Sequence, residues 1–113
     1  MSQITTHVLD TAVGKPAEGI PITLQRSTGN DQWEKITTGV TNADGRIASL
    51  LPPTQKLNPG VYRLLFETKI YFDRQKIKAF YPYVSVVFEI FDMEHYHVPL
   101  LLSPFGYSTY RGS

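Results

Sequence analysis

The sequence predicts an all-β fold, namely an antiparallel β-sandwich formed by a single domain over residues 1–113. Apolar and polar residues alternate along most of the chain, which is the pattern of half-buried strands. Turn-forming residues separate these segments at intervals of roughly 8–12 residues, as in sandwich folds. Only one short segment has helical character. A chain of this length can bury about two-thirds of the surface that its unfolded form exposes, which is enough for one core.

Seven segments are predicted as strands and one as a helix. The alternation is clearest where Ile20, Ile22 and Leu24 are each followed by a proline or a polar residue. The turn-rich segments 27–31 and 42–45 are predicted to join neighbouring strands as hairpins. The predicted strands span residues 4–11, 20–25, 33–40, 46–50, 61–68, 84–90 and 96–102, and the predicted helix spans residues 69–76.

The last predicted strand has two different faces. Val98, Leu100 and Leu102 share one face, which is predicted to pack in the core. His97 is therefore expected on the opposite face. The segment 100–102 is apolar on both faces, and strands of that kind usually have a cover on each side. In a chain this small, the second cover is expected to be another subunit.

Two other polar residues are candidates for a site. His7 lies in the first predicted strand, on the face opposite Thr6 and Val8. Arg46 directly follows a tight Asp-Gly turn, which fixes a guanidinium group at the edge of a sheet. This placement suits the recognition of planar groups that carry oxygen atoms. From spacing alone, each of these residues is also compatible with a solvated or hydrogen-bonded surface position.

The C-terminal tetrapeptide is the most informative part of the chain. It places a phenol, a guanidinium, a hydroxyl and the terminal carboxylate within four positions, and the last predicted strand before it, 96–102, is expected to be buried. Most domains end in a few loose residues without a role. A polar cluster that a strand delivers to the end of a small β domain predicts a binding or catalytic site. The four residues are Tyr110, Arg111, Gly112 and Ser113.

Composition excludes several classes of function. The net charge is +1 with 11 basic and 10 acidic residues, so no electrostatic surface for nucleic acid or membrane is expected. The chain has no cysteine, which excludes disulfides, thiolate metal sites and cysteine nucleophiles. No Gly-x-Ser-x-Gly motif supports a serine triad. The first residues lack the basic and apolar regions of a signal peptide, so a cytoplasmic location is expected.

The three histidines allow one metal-based alternative. His95 and His97 are two residues apart, so a regular strand places both on one face, and His7 could complete a three-histidine zinc site. Such a site would generate a hydroxide nucleophile near neutral pH. A spacing of two residues is weakly specific for metal, and the competing interpretation is that each histidine is a surface or hydrogen-bonded residue.

The chain resembles the transthyretin-related proteins that include the 5-hydroxyisourate hydrolases of urate degradation. The resemblance covers nearly the whole chain in the right order, and the terminal tetrapeptide is its most specific part, since hormone-carrying transthyretins lack it. The matching segments are HVLD at 7–10, GKPA at 14–17, TNADGR at 41–46, FYPYV at 80–84, YHVPLLLSP at 96–104 and YSTYRGS at 107–113.

The resemblance implies a sandwich of two four-stranded sheets with one short helix. It also implies a homotetramer, a dimer of dimers, with active sites in a channel at the dimer–dimer interface and no cofactor or metal. His95 has no role in this comparison. The catalytic residues that it implies are His7, Arg46 and His97, and the substrate-binding residues are Arg46, Tyr110, Arg111, Gly112 and Ser113.

The activity implied is hydrolysis of 5-hydroxyisourate to 2-oxo-4-hydroxy-4-carboxy-5-ureidoimidazoline. In this hypothesis one of the two histidines His7 and His97 is the general base that activates a water molecule, and Arg46 binds the substrate and stabilises the oxyanion. The main alternative is a transthyretin-like carrier of small ligands without catalysis. A sandwich domain that serves only protein contacts is a second alternative.

Overall fold

A computed structural model describes residues 2–113, which form eight β-strands and one short helix. The strands are β1 (Ile4–Asp10), β2 (Lys15–Pro16), β3 (Pro21–Gly29), β4 (Gln32–Val40), β5 (Gly60–Phe66), β6 (Val84–Ile90), β7 (Tyr96–Ser103) and β8 (Gly106–Thr109). Helix α1 (Thr68–Arg74) lies between β5 and β6 in the chain. The two sheets have the orders β2-β1-β7-β8 and β4-β3-β5-β6. The predicted sandwich of two four-stranded sheets with one short helix is confirmed.

One strand pairing differs from the antiparallel pattern. The other pairings between these strands are antiparallel, whereas β1 and β7 run parallel. Their register places Thr5 beside His97 and His7 beside Pro99. Turn residues can reveal only strands joined by a hairpin, and β1 and β7 lie at opposite ends of the chain. The parallel pair was therefore not visible in the turn pattern.

Alternation along β1 and β7 separates the core from the outer face of the first sheet. Ile4, Val8 and Leu100 have no exposed surface and pack in the core between the sheets. His7 and His97 occupy the intervening positions, point away from the core and are half-buried. The faces predicted for both histidines are thus confirmed, and the two side chains emerge from adjacent central strands of one sheet.

The strand predicted over residues 46–50 does not form. Arg46 makes a single isolated bridge to β1, and the residues after it turn. The Asn42 side-chain oxygen accepts hydrogen bonds from the backbone N–H groups of Asp44 and Arg46, at 2.9 and 3.2 Å, which closes a compact turn. Further along, the Leu51 N–H donates to the Ser2 hydroxyl instead of to a strand. Local hydrogen bonds therefore replace the expected ladder.

Two short strands were not predicted from the sequence, and one hairpin turn contains fewer residues than predicted. β2 has two residues and β8 has four, which is too few to show a clear alternation. The turn between β3 and β4 is centred on Asn30 and Asp31, whose φ values are +53° and +59°. Left-handed geometry at both central residues matches the twist of the flanking strands, as in the two-residue turns favoured in hairpins.

A buried hydrogen bond connects helix α1 to strand β1 of the first sheet. The Tyr71 hydroxyl donates to a carboxylate oxygen of Asp10 at 2.7 Å, and burial with this acidic neighbour raises the pKa of Tyr71. The helix was predicted over residues 69–76 but ends at Arg74, because Lys76 adopts a φ of +58°. No helix within residues 2–113 has the length and hydrophobicity needed to span a membrane.

Candidate active site

A polar cavity of ≈ 470 Å³ opens on the outer face of the first sheet. This volume lies in the range of about 300–1,000 Å³ found for small-molecule sites. Four parts of the chain line it: β1, the turn after β4, the start of β7 with the residue before it, and the C-terminus. The candidate residues that it brings together are His7, Arg46, His97, Tyr110, Gly112 and Ser113.

Arg46 is held at the cavity by the turn that precedes it. The backbone of the turn is fixed to β1, because the Val8 N–H donates to the Gly45 carbonyl at 2.9 Å. Gly45 has a φ of +75°, and a Cβ there would collide with the Val8 carbonyl oxygen, so only glycine fits. The Arg46 side chain forms no ion pair with any residue in the range 2–113. Its positive charge is available to a ligand.

The C-terminus closes the cavity on the other side. The Gly112 N–H donates to the His97 carbonyl at 2.8 Å, which makes an isolated bridge to β7. A Cβ on Gly112 would lie 2.6 Å from His97 Cδ2, so glycine lets the chain end pass directly beside the imidazole. Arg111 does not line the cavity; its guanidinium lies 4.3 Å from the centre of the Tyr96 ring, a cation–π contact.

The environment of His97 favours its neutral form. Burial, followed in size by the positive charge of Arg46 and then by His95 and His7, holds the pKa of His97 below its ordinary value of 6.5. A neutral imidazole can accept a proton, whereas an imidazolium cannot. At neutral pH His97 is therefore available as a base inside a cavity that also contains a free guanidinium.

Thr5 is a cavity residue that the sequence analysis missed. Its hydroxyl oxygen lies 2.8 Å from His95 Nε2 and 2.7 Å from His97 Nδ1, so it joins the two rings by hydrogen bonds. Alternation already places Thr5 on the same face of β1 as His7. What the sequence did not show is the parallel register that sets Thr5 beside His97.

The three-histidine metal site considered from the sequence is not formed. Within residues 2–113 no three histidine, cysteine or acidic side chains lie close enough together to hold a metal ion. The His95 and His97 rings are nearly parallel, with centroids 6.4 Å apart, and each directs one nitrogen to Thr5. Two of the proposed ligand nitrogens are thus engaged with a hydroxyl.

A second cleft, of ≈ 200 Å³, lies between the two sheets at the open edge formed by β6 and β8. Its lining is largely apolar and includes Val86, Phe88 and Val98, together with the Tyr96 ring under Arg111. It contains none of the three histidines. The residues needed for acid–base chemistry are concentrated in the polar cavity, which is the candidate active site.

The model of the HIUase/Transthyretin family matches residues 4–112 of the chain. The chain belongs to this family. A mouse protein named 5-hydroxyisourate hydrolase is 50% identical over 114 residues, which cover 99% of this chain and 96% of the relative. The solved structure of 5-hydroxyisourate hydrolase from Klebsiella pneumoniae superposes with a TM-score of 0.85 at 39% identity, covering 100% of this chain and 94% of that one.

The fold is also shared with a carrier. Sea bream transthyretin, solved in complex with thyroxine, superposes with a TM-score of 0.89 at 36% identity, covering 97% of this chain and 94% of that one. The backbone alone therefore does not separate hydrolase from carrier. Curated relatives named 5-hydroxyisourate hydrolase are 47–50% identical over nearly the whole chain, and the chain is a hydrolase of this family.

Replacing Gly112 with alanine is expected to displace His97 without unfolding the domain. The added methyl group would lie 2.6 Å from the imidazole, so either the ring or the chain end must move. If His97 is catalytic, a displacement of about 1 Å should lower turnover on the order of 10²-fold. We expect shifted His97 ring signals in NMR spectra and a free energy of unfolding within about 0.5 kcal/mol of wild type.

Gly106→Ala is the matched control for this substitution. A Cβ at position 106 has its nearest neighbour, Ser103 Oγ, at 3.7 Å, which is an ordinary contact. This variant should keep the wild-type His97 signals and turnover. Wild-type ring signals and turnover in Gly112→Ala would show that the close approach of the chain end is not needed for the position of His97.

Proposed function

We propose that this chain hydrolyses 5-hydroxyisourate at the ring amide between N1 and C6 and releases 2-oxo-4-hydroxy-4-carboxy-5-ureidoimidazoline. The observation that carries this proposal is the convergence of His7, Arg46 and His97 on one cavity in a chain similar to proteins named for this activity. Opening the amide requires an activated water molecule, stabilisation of an oxyanion and a proton for the leaving nitrogen.

His97 is proposed as the general base. Its lowered pKa keeps the imidazole neutral at physiological pH, and its Nδ1 is engaged by Thr5, so Nε2 is the nitrogen left to accept a proton from water. His7 lines the same cavity from the adjacent strand and is proposed to orient that water molecule. The deprotonated water then attacks C6 of the substrate and forms a tetrahedral intermediate.

Arg46 is proposed to stabilise the charge that develops on the carbonyl oxygen of C6. The turn fixes the backbone of Arg46, and the guanidinium has no carboxylate partner among residues 2–113, so its charge is not neutralised within the chain. A preorganised donor of this kind typically contributes on the order of 10²–10³ in rate. The same group is proposed to bind the substrate oxygens before reaction.

Proton transfer to N1 completes the reaction. The proton that His97 removes from water is proposed to protonate N1 as the C6–N1 bond breaks, so that N1 becomes the terminal nitrogen of the ureido group. The new carboxylic acid loses its proton to solvent. Ser113 and Tyr110 line the cavity from the chain end, where they are proposed to hold the substrate, with Gly112 giving them access beside His97.

The protein is proposed to act as a homotetramer in which a second dimer covers the site. The cavity lies on the outer face of a sheet, and Arg46 and Ser113 are exposed in a single chain. Leu9 and Leu101 are neighbours on this face and are only half-buried. An apolar pair beside an open catalytic cavity supports a covering surface, and the family resemblance implies that this surface is another copy of the chain.

The first test is the decay of freshly prepared 5-hydroxyisourate, followed by ultraviolet absorbance with metal-free protein. The wild-type protein is expected to accelerate decay. His97→Ala should lower turnover by on the order of 10²–10⁴-fold through loss of the base, and Arg46→Met by on the order of 10²–10³-fold.

Arg26→Met is the control for charge removal, because Arg26 pairs with Glu34 on the exposed surface of the other sheet. This variant should retain full activity. Decay at the buffer rate with folded wild-type protein would overturn the proposal and favour the carrier function, which a thyroxine-like aromatic ligand would then test.

The pH dependence of kcat/KM is expected to report the lowered pKa of His97. The base is active only when it is neutral, so activity should fall as pH drops through an inflection below 6.5. In Arg46→Met the inflection should move upward, because one source of positive charge is lost. The inflection should still lie below 6.5 in this variant, because burial lowers the pKa of His97 more than Arg46 does. An inflection above 6.5 in the wild type would contradict this assignment.

The proposed tetramer is tested by light scattering together with the activity assay. Wild-type protein is expected at four times the chain mass of 12.8 kDa. Leu101→Arg, which places a charge on the outer face beside the site, should give smaller species with lower activity per chain. Val61→Arg, on the exposed face of the other sheet, is the control and should change neither property. A fully active wild-type monomer would refute the proposed assembly.

A further inference from the structure

The Thr5 hydroxyl lies between two imidazole nitrogens on the floor of the cavity. It is 2.7 Å from His97 Nδ1 and 2.8 Å from His95 Nε2, and both distances are those of good hydrogen bonds. Thr5 comes from β1, His97 from β7 and His95 from the residue just before β7. The three groups form a continuous chain of hydrogen bonds that ends at His95, a residue for which the proposed reaction has no role.

The number of protons in this chain limits how it can be arranged. A hydroxyl has one proton to donate, and a neutral imidazole has one N–H and one bare nitrogen. If Thr5 donated to His97, Nδ1 would be bare and Nε2 would carry the proton, so His97 could not act as the base through Nε2. If both histidines donated to Thr5, its own proton would find no acceptor among residues 2–113 and would need a water molecule in the cavity.

One arrangement leaves Nε2 bare and gives every proton a partner within residues 2–113. His97 Nδ1–H donates to Thr5 Oγ1, and Thr5 Oγ1–H donates to His95 Nε2. His95 then acts as the acceptor that keeps the hydroxyl proton turned away from His97. In this arrangement the tautomer of His97 depends on a residue that does not touch it directly.

We propose that Thr5 is a positioning residue for His97: its hydroxyl holds the ring proton on Nδ1, frees Nε2 for the attacking water and links His97 to His95. When Nε2 takes a proton from water, the Nδ1 proton passes to Thr5 Oγ1 as the hydroxyl proton passes to His95 Nε2. Thr5 is again a neutral hydroxyl, and the positive charge resides on His95 instead of on His97 beside Arg46.

A second set of proton transfers returns the three residues to their starting protonation states. His97 Nε2–H is delivered to N1 of the substrate as the C–N bond breaks, while His95 returns its proton through Thr5 to Nδ1. No proton is gained or lost by the three residues over one cycle. The other charged and titratable side chains that line the cavity are Arg46, His7 and Tyr110. The catalytic part of this inference rests on the proposed hydrolysis, whereas the tautomer does not.

The tautomer is tested by NMR on histidine-¹⁵N-labelled protein without substrate, at about pH 8, where ordinary histidines are neutral. Wild-type His97 is expected to carry its proton on Nδ1. Thr5→Val keeps the β-branched shape of the side chain but removes the hydroxyl, so this preference should be lost. His95→Phe should also shift the proton towards Nε2, because Thr5 can then donate to Nδ1.

Kinetics of the same variants test the catalytic role. Thr5→Val should lower kcat by about 10-fold, less than loss of a general base itself, with KM within about 2-fold of wild type. His95→Phe should act in the same direction, and Thr5→Ser, which keeps the hydroxyl, should restore kcat. Thr23→Val is the control, since Thr23 is a half-buried threonine on a strand of the other sheet and should affect neither kcat nor the tautomer.

The outcomes separate this inference from the proposed function. A proton on Nε2 in wild-type His97, or an unchanged tautomer and kcat in both Thr5→Val and His95→Phe, would overturn the inference while leaving hydrolysis intact. The expected tautomers in a protein that does not accelerate decay of 5-hydroxyisourate would support the positioning role of Thr5 and refute the proposed substrate. If kcat falls in Thr5→Val and is equally low in Thr5→Ser, the hydroxyl has no positioning role and Thr5 contributes only by packing.

Discussion

The parallel pairing of β1 with β7 determines which side chains reach the cavity. In this register Thr5 lies beside His97 and His7 beside Pro99, while the residues between them are buried between the sheets. A shift of one residue in either strand would turn its histidine into the core and would expose the apolar side chains of that strand to solvent. Because burial of a large apolar side chain stabilises the fold by roughly 1.5–3 kcal/mol, core packing fixes the direction in which both histidines point.

Two segments outside the central strands complete the site, and each is attached at one of the histidine positions. Arg46 is bridged to His7, and the C-terminal Gly112 is bridged to His97. Both approaches require glycine, at positions 45 and 112, because a side chain there would collide with β1 or with the imidazole. The sandwich backbone is common to hydrolases and a thyroxine carrier, so the proposed chemistry depends on these attachments and on the side chains that they present.

The sequence predicted the parts of the site that depend on local pattern. Alternation was sufficient to place His7 and His97 on outer faces, because side-chain direction in a strand follows from position alone. The role of Thr5 depends on which strand lies beside β1, and no local pattern encodes a parallel neighbour from the far end of the chain. The stretch after Arg46 was misassigned as a strand, because Asn42 closes the turn with its side chain and, in the part of the chain that the structure describes, residues 47–50 pair with no strand.

Electrostatics connect the proposed assembly with the proposed chemistry. In a single chain the cavity is open, so water screens the field of Arg46 both at His97 and at the position of the oxyanion. A covering subunit removes that water. The same guanidinium then disfavours the imidazolium more strongly and stabilises the developing oxyanion more strongly. The proposed proton path from His97 to His95 would act in the same direction, because it would keep an imidazolium at His97 from facing the Arg46 cation at the moment of attack. On this argument the covering surface is a chemical component of the active site.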